Sequence, residues 1–239
     1  MTSDSSTQND PIGKAIQDYL DTGISQDIIV ESDVIDDDVL PSAYLFRTYA
    51  EMPDLEKIAL KQCKGKILDI GAGSGIHTKY LKEKGFDVTA IDTSPGAVSA
   101  MTRTGLNAAQ KNFFEFDQGT YDTLLFLMNG TGIAGTLDRF PQMLSKAKEL
   151  LNPGGVILMD STDIRYIYED DDGSIWIDLN GSYFGEVEFN MKYKDQESGW
   201  FNWLYLDEET LKKIAEDNGL KVKILGHQDD QYLAELTRK

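Results

Sequence analysis

The sequence has one cysteine, two histidines and six prolines in 239 residues, and no long apolar run. A single cysteine, Cys63, excludes an internal disulfide and fits a reducing cytoplasm, where the chain is expected to work. The longest unbroken apolar stretch, Leu124 to Met128, is far short of the ~20 residues a membrane-spanning helix needs. The amino terminus, MTSDSSTQND, has neither a basic start nor an apolar core and does not read as a secretory signal. Basic charge is scarce too: 23 Lys and Arg stand against 41 Asp and Glu, a net −18. Residues 1–60 hold 13 acids and 3 bases, and residues 163–200 hold 10 acids and 3 bases. A field of that sign repels phosphate backbones and anionic lipid, so neither nucleic acid nor a membrane is expected as a partner. Solvation of exposed surface is the plainest use for such charge.

What is present is a pattern of strands alternating with helices. Asp10-Pro11 opens a helix through Leu20, residues 31–38 read as an acidic loop, and Pro41 starts a second helix that Pro53 restarts towards Cys63. From Lys66 the pattern changes. Ile67–Ile70, Val88–Ile91, Leu124–Met128 and Val156–Met159 read as buried strands, separated by helices over 75–84, from Ser94-Pro95 to Gly105, and over 138–151. Such alternation predicts an α/β fold, a parallel sheet covered on both faces. Residues 173–206 break the rhythm. Val187, Phe189, Met191 and Tyr193 alternate with polar residues, as do Phe201, Trp203 and Tyr205, which predicts an inserted antiparallel hairpin with one wet face. Asp207 then caps a helix over 208–218, and strands near 221–226 and 231–237 end the chain.

Gly71-Ala72-Gly73-Ser74-Gly75 follows a strand and opens a helix, where glycines let the backbone approach a ligand and free N–H groups face it. Asp92 closes the next strand, where a carboxylate can take both hydroxyls of a ribose. A dinucleotide site usually spaces its glycines G-x-G-x-x-G, and here the third glycine comes one residue early.

Four stretches in order, Ile67 to Gly75, Ala90 to Pro95, Tyr121 to Leu125 and Leu150 to Gly155, resemble the class I S-adenosylmethionine-dependent methyltransferases. The resemblance implies a Rossmann-like seven-stranded sheet whose last strand is antiparallel. It divides the chain into an N-terminal helical lid segment (1–63), a cofactor-binding core (64–162 and 207–239) and an inserted cap (163–206). It also implies that Gly71, Ala72, Gly73 and Gly75 wrap the methionine part of the cofactor, with Asp69 ordering the loop or meeting the amino group. Asp92 would hold the ribose and Thr93 flank the adenine. Asn112-Phe113 falls where the family usually has an acid and an apolar neighbour beside adenine, and the Asn112 amide oxygen can still accept a hydrogen bond. Met128 and Asn129 would lie under the sulfonium.

A methyl on a positive sulfur is already activated, so transfer needs positioning and dryness more than a catalytic triad. No triad, metal cluster or nucleophilic cysteine is evident in the sequence. Family members that methylate DNA bases commonly carry a Pro-Pro run where this chain has Met128-Asn129-Gly130-Thr131-Gly132, and a small-molecule acceptor is expected instead. Turned inward, the acidic segments would favour a cationic amine. Tyr44, Phe46, Arg47 and Tyr49 could fold over the cleft or simply pack. Asp160 and Asp163, past the fifth strand, could bind an amine, act as a base or be solvated loop acids. His77 could contact the cofactor carboxylate or sit on a helix surface, and His227 could reach the acceptor. A cofactor-binding protein without turnover and a nicotinamide-dependent oxidoreductase are the rival readings.

Overall fold

The computed structural model describes residues 9–170, 174 and 181–239. Residues 1–8, and residues 171–173 and 175–180 of the expected 163–206 insertion, fall outside these residues. The chain begins with α1 (Pro11–Thr22), β1 (Asp27–Ser32), β2 (Asp38–Pro41) and α2 (Asp54–Gln62). The core follows as β3 (Lys66–Ile70), α3 (Ile76–Glu83), β4 (Asp87–Asp92), α4 (Pro95–Arg103), β5 (Ala108–Gln110), β6 (Tyr121–Phe126), α5 (Phe140–Leu150) and β7 (Leu151–Thr162). Then come β8 (Glu186–Tyr193), β9 (Gln196–Glu197), β10 (Phe201–Leu204), α6 (Glu208–Asp217), β11 (Leu220–Gln228) and β12 (Gln231–Arg238).

Seven strands form the main sheet in the order β11-β12-β7-β6-β3-β4-β5. Strands β3 to β7 pair in parallel, and β12 runs antiparallel to both β7 and β11. The apolar run in β6 explains why it lies at the centre. Leu124 and Phe126 enter the core under α5 and α6, while Leu125 and Leu127 enter the core under α2 and α3. A strand buried on both faces needs no polar alternation. The chain reverses its winding direction between β3 and β6, so the crevice at their carboxyl ends is the expected ligand position.

The remaining strands form a second, antiparallel sheet, β10-β8-β1-β2, with β9 paired to β8. The predicted hairpin is there, with Phe189 opposite Phe201 and Val187 opposite Trp203. Its other neighbour is β1, where Val30 faces Met191. The amino-terminal segment is therefore less helical than its prolines suggest. Residues 27–41 hold two strands, and the helix expected from Pro41 is only two short 3-10 turns, Ser42–Phe46 and Tyr49–Glu51. Arg47, which caps the first turn, is extended (φ −53°, ψ 143°), so the helix cannot run on.

Two contacts fix this sheet against the core. Asp10 caps α1 by accepting from the Gly13 N–H (2.9 Å), and its other oxygen accepts from the Gly96 N–H (2.9 Å) and Ser94 hydroxyl (2.8 Å) of α4. On the far side Trp203 packs against Gly132, where an added Cβ would sit 1.9 Å from the indole. Only glycine permits that approach.

Candidate functional site

The loop after β3 is built by left-handed glycines: Gly71, Gly73 and Gly75 have φ of 70°, 56° and 82°. A Cβ on Gly73 would meet nothing within 4 Å, so this glycine edges open space. The Gly71 and Ala72 N–H groups donate to the Ile91 carbonyl at 2.9 and 3.2 Å, tying the loop to the end of β4. Asp92 is the second tie. One carboxylate oxygen accepts from the Gly73 N–H and the other from the Ser94 N–H, both at 2.8 Å. Burial raises its carboxyl above the usual range, and these two donors work against that shift.

Two recesses flank Asp92. The inner one is lined by Leu45, Asp69, Gly71 to Ser74, Ile76, His77, Leu127 and Met128. The outer, more open one is lined by Thr93, Gln110, Lys111 and Asn112. Asp92 lines neither recess but joins a residue of each, bonding the Gly73 N–H and preceding Thr93. Asp69 is buried and accepts from the Thr78 hydroxyl at 2.6 Å, with burial raising its pKa. The Asn112 side-chain oxygen accepts from the Phe114 N–H at 3.0 Å, which caps a short turn and leaves one lone pair. Phe113 turns inward and meets Phe126 edge-on at 5.1 Å.

The turn after β6 forms the floor. Met128 and Asn129 both adopt positive φ, 67° and 57°, a conformation L side chains rarely take twice in succession. Such strain persists only where surroundings over-determine it. Here β7 supplies the restraint: Thr162 donates to the Asn129 side chain at 2.7 Å, and Asp160 accepts from the Gly130 N–H at 3.1 Å.

Asp160 is thus no loop acid. It lies within β7, is 1% exposed and also accepts from the Gln231 amide at 2.7 Å. Burial pushes its carboxyl up to about 6 from an ordinary 3.8. Because the folded value is the higher one, Asp160 favours the fold most below pH ~4, and that contribution is lost as pH rises through ~6. The stability of the wild type relative to Asp160→Asn should therefore fall by on the order of 3 kcal/mol between those limits. Denaturant unfolding of both proteins across that range checks this, and a pH-independent difference would contradict it.

Other expected residues are placed differently. Asp163 caps its own turn and is held by Arg165 at 2.5 Å, so it is already committed to a cation. Tyr49 stacks on Tyr80 at 4.2 Å, and Phe46 packs against Tyr19 at 4.6 Å, both as plain packing. From that segment it is Leu45 that reaches the cavity, and its carbonyl accepts from the Ser74 hydroxyl. His227 lies on the edge strand β11, pairs with Glu208 and is exposed. Cys63 is buried, with burial pushing its thiol up to about 12, which suits a packing role. Several acids of residues 1–60 are spent in pairs: Asp18 with Lys14 and Lys194, Asp21 with Arg103, and Glu31 with Lys192.

The sequence reading considered Arg47 and His77 but missed Glu56, which joins them. Arg47 donates to Glu56 at 2.5 Å, Glu56 meets His77 Nε2 at 2.7 Å, and all three are buried. The signal was Glu56, a charge among the inward-facing Leu55, Ala59 and Leu60 of α2, which required a buried partner.

Residues 43–223 match the family described as Methyltransferase domain. An S-adenosylmethionine-dependent methyltransferase from Bacteroides fragilis, solved with S-adenosyl-L-homocysteine, is 44% identical, with a TM-score of 0.90 covering 97% of this chain and 95% of that one. An uncharacterized methyltransferase of Staphylococcus carnosus is 26% identical over 81% of this chain and 87% of its own length. The sugar N-methyltransferase KedS8 from Streptoalloteichus shares the fold (TM-score 0.57, 82% of this chain and 92% of that one) at 15% identity. The ordered glycine loop, the Asp92 bridge and the seven-stranded sheet agree with these likenesses, and the chain belongs to the S-adenosylmethionine-dependent methyltransferases.

Proposed function

We propose that this protein transfers a methyl group from S-adenosylmethionine to a nitrogen or oxygen atom of a small molecule. The observation that carries the reading is Asp92, which ties the glycine loop to α4 between two recesses of unlike character. The cofactor has the same order of parts: an amino acid, a ribose and a base. The residues present fit it. Gly71, Ala72 and Gly73 line the amino-acid end with Asp69 beneath, while Gly75, expected there too, instead lets the loop pack against Met101 and Leu106; Asp92 takes the ribose hydroxyls, and Thr93 and Asn112 flank the adenine with Phe113 behind them. Gly73 has the open space that a closely packed ligand needs.

When bound, the cofactor supplies a methyl on a positively charged sulfur that leaves as a neutral thioether. The chain's part is to hold the acceptor in line with that carbon. Met128 and Asn129, fixed in their strained turn, set the floor on which the two groups meet. Holding reactants at contact distance supplies much of the rate in such a displacement. We assign the described parts of residues 1–63 and 163–206 as the walls over the core of 64–162 and 207–239. Their shared sheet, anchored by Trp203 on Gly132, is adjacent to this turn. Asp160 holds the turn from below, while Tyr49 and Asp163 support the walls through Tyr80 and Arg165. We place the enzyme in the reducing cytoplasm on its unpaired Cys63. Among the described residues no helix is long and apolar enough to cross a membrane.

Incubation with S-adenosylmethionine and a panel of metabolite amines and alcohols tests the reading. Release of S-adenosylhomocysteine with one of them is expected. Bound cofactor with no release against any member would favour a cofactor-binding protein without turnover.

A further inference from the structure

The second sheet has two unlike faces. Residues opposite one another across an antiparallel pair share a face. On one face stand the pairs Val30 and Met191, Phe189 and Phe201, and Val187 and Trp203. On the other stand Ile29 and Lys192, Glu31 and Asn190, and Asn202 and Glu188. The first face is turned to the core: Trp203 packs against Gly132, and Met191 falls in one apolar cluster with Met128. It therefore confronts both ends of the turn 128–132, the floor on which methyl transfer is placed above. Val187 is sealed at 0% exposure, whereas Val30, Met191, Phe201 and Trp203 are only half-buried, as are Met128 and Asn129 on the turn. A face pressed directly on the core would lose that surface, so room for a ligand remains between this stretch of sheet and the turn.

The charges lie elsewhere. Glu31 and Glu197 pair with Lys192 on the outer face, and Glu188 is exposed there. Asp160 is sealed under the turn, and Asp163 is held by Arg165. Asp38, in register with Val30, is exposed on the edge strand β2 and accepts from the Val39 N–H at 2.7 Å. At the floor, Thr162 donates to Asn129 Oδ1 at 2.7 Å, which leaves Asn129 Nδ2 a donor with no partner among the described residues. Such a donor suits a hydroxyl oxygen and has nothing to offer an ammonium, which only donates.

We propose that the acceptor is an uncharged molecule with an aromatic body and a hydroxyl group, its ring held by Val30, Phe189, Met191, Phe201 and Trp203 and its oxygen at Asn129. An apolar wall with a few convergent polar groups is the usual form of a small-molecule site. The hydroxyl oxygen forms the bond to the methyl carbon, the carbon–sulfur bonding pair returns to sulfur, and the hydroxyl proton passes to water. The inference rests on the methyl-transfer reading above and narrows its acceptor. A cationic amine, favoured had the acidic segments turned inward, finds no counter-charge on this face.

Two probes of one shape test this: 4-ethylphenol, and tyramine, which adds an ammonium to the same body. Each is titrated by NMR into protein loaded with S-adenosylhomocysteine. The wild type should bind 4-ethylphenol about tenfold tighter or more, because an ammonium taken from water gains no partner in this space. Met191→Asp, which sets a carboxylate on the inner face, should reverse that preference. Ile29→Asp, which sets one on the outer face, should leave it unchanged. Retained affinity for S-adenosylhomocysteine shows that each variant is folded. Equal or tighter binding of tyramine by the wild type would overturn the proposal and needs no variant to fold; aromatic rings attract cations, and that outcome would be their doing. A preference that Met191→Asp does not move, or a loaded wild type that binds neither probe, would overturn it too. If S-adenosylhomocysteine itself does not bind, it is the methyl-transfer reading that fails.

Discussion

Replacing Gly73 by valine should abolish S-adenosylmethionine binding and leave a folded protein. Gly73 has φ 56° and no heavy atom within 4 Å of where a Cβ would stand, so an added side chain enters the space assigned to the ligand. The same open space means that the chain itself need not repack. What remains is backbone strain, about 1–2 kcal/mol for an L-residue in this conformation, which is small against a typical stability of about 5–15 kcal/mol. Melting should therefore drop by roughly 2–8 °C. Calorimetry should show no binding heat at millimolar S-adenosylmethionine. Normal affinity in a folded Gly73→Val protein would place the ligand elsewhere.

Asp92→Ala should weaken S-adenosylhomocysteine by about 1.5–3 kcal/mol, roughly tenfold to more than a hundredfold, because two charge-assisted contacts to ribose hydroxyls are lost. The loss should be just as large for 5′-methylthioadenosine, which keeps the ribose. Asp92 also accepts from the Gly73 and Ser94 N–H groups, so the variant slackens the loop as well as the ligand. Unchanged affinity for both ligands would leave Asp92 as a loop tie with no part in binding.

The core of this site was legible because its determinants are local. A glycine loop between a strand and a helix, an acid at the next strand end and a Ser-Pro helix start are each set by neighbours in sequence. Hence Gly71 to Gly75, Asp92 and the Ser94 cap fall where the spacing puts them. The walls were not legible, for the opposite reason. Strand β1 pairs with β8 across about 160 residues, and nothing in Asp27–Ser32 specifies such a distant partner. Asp160 and Asp163 carried the same sequence signal, an acid past an apolar strand. One proved to be sealed under the β6 turn and the other paired with Arg165. The Arg47–Glu56–His77 trio joins three elements whose order in the chain says nothing of their contact.

The central claim, that the glycine loop and Asp92 serve S-adenosylmethionine, is tested most directly by titrating the purified protein with S-adenosylmethionine and, separately, with NAD. The account predicts micromolar binding of S-adenosylmethionine and no measurable heat with NAD. Tight binding of NAD with no S-adenosylmethionine heat would contradict it.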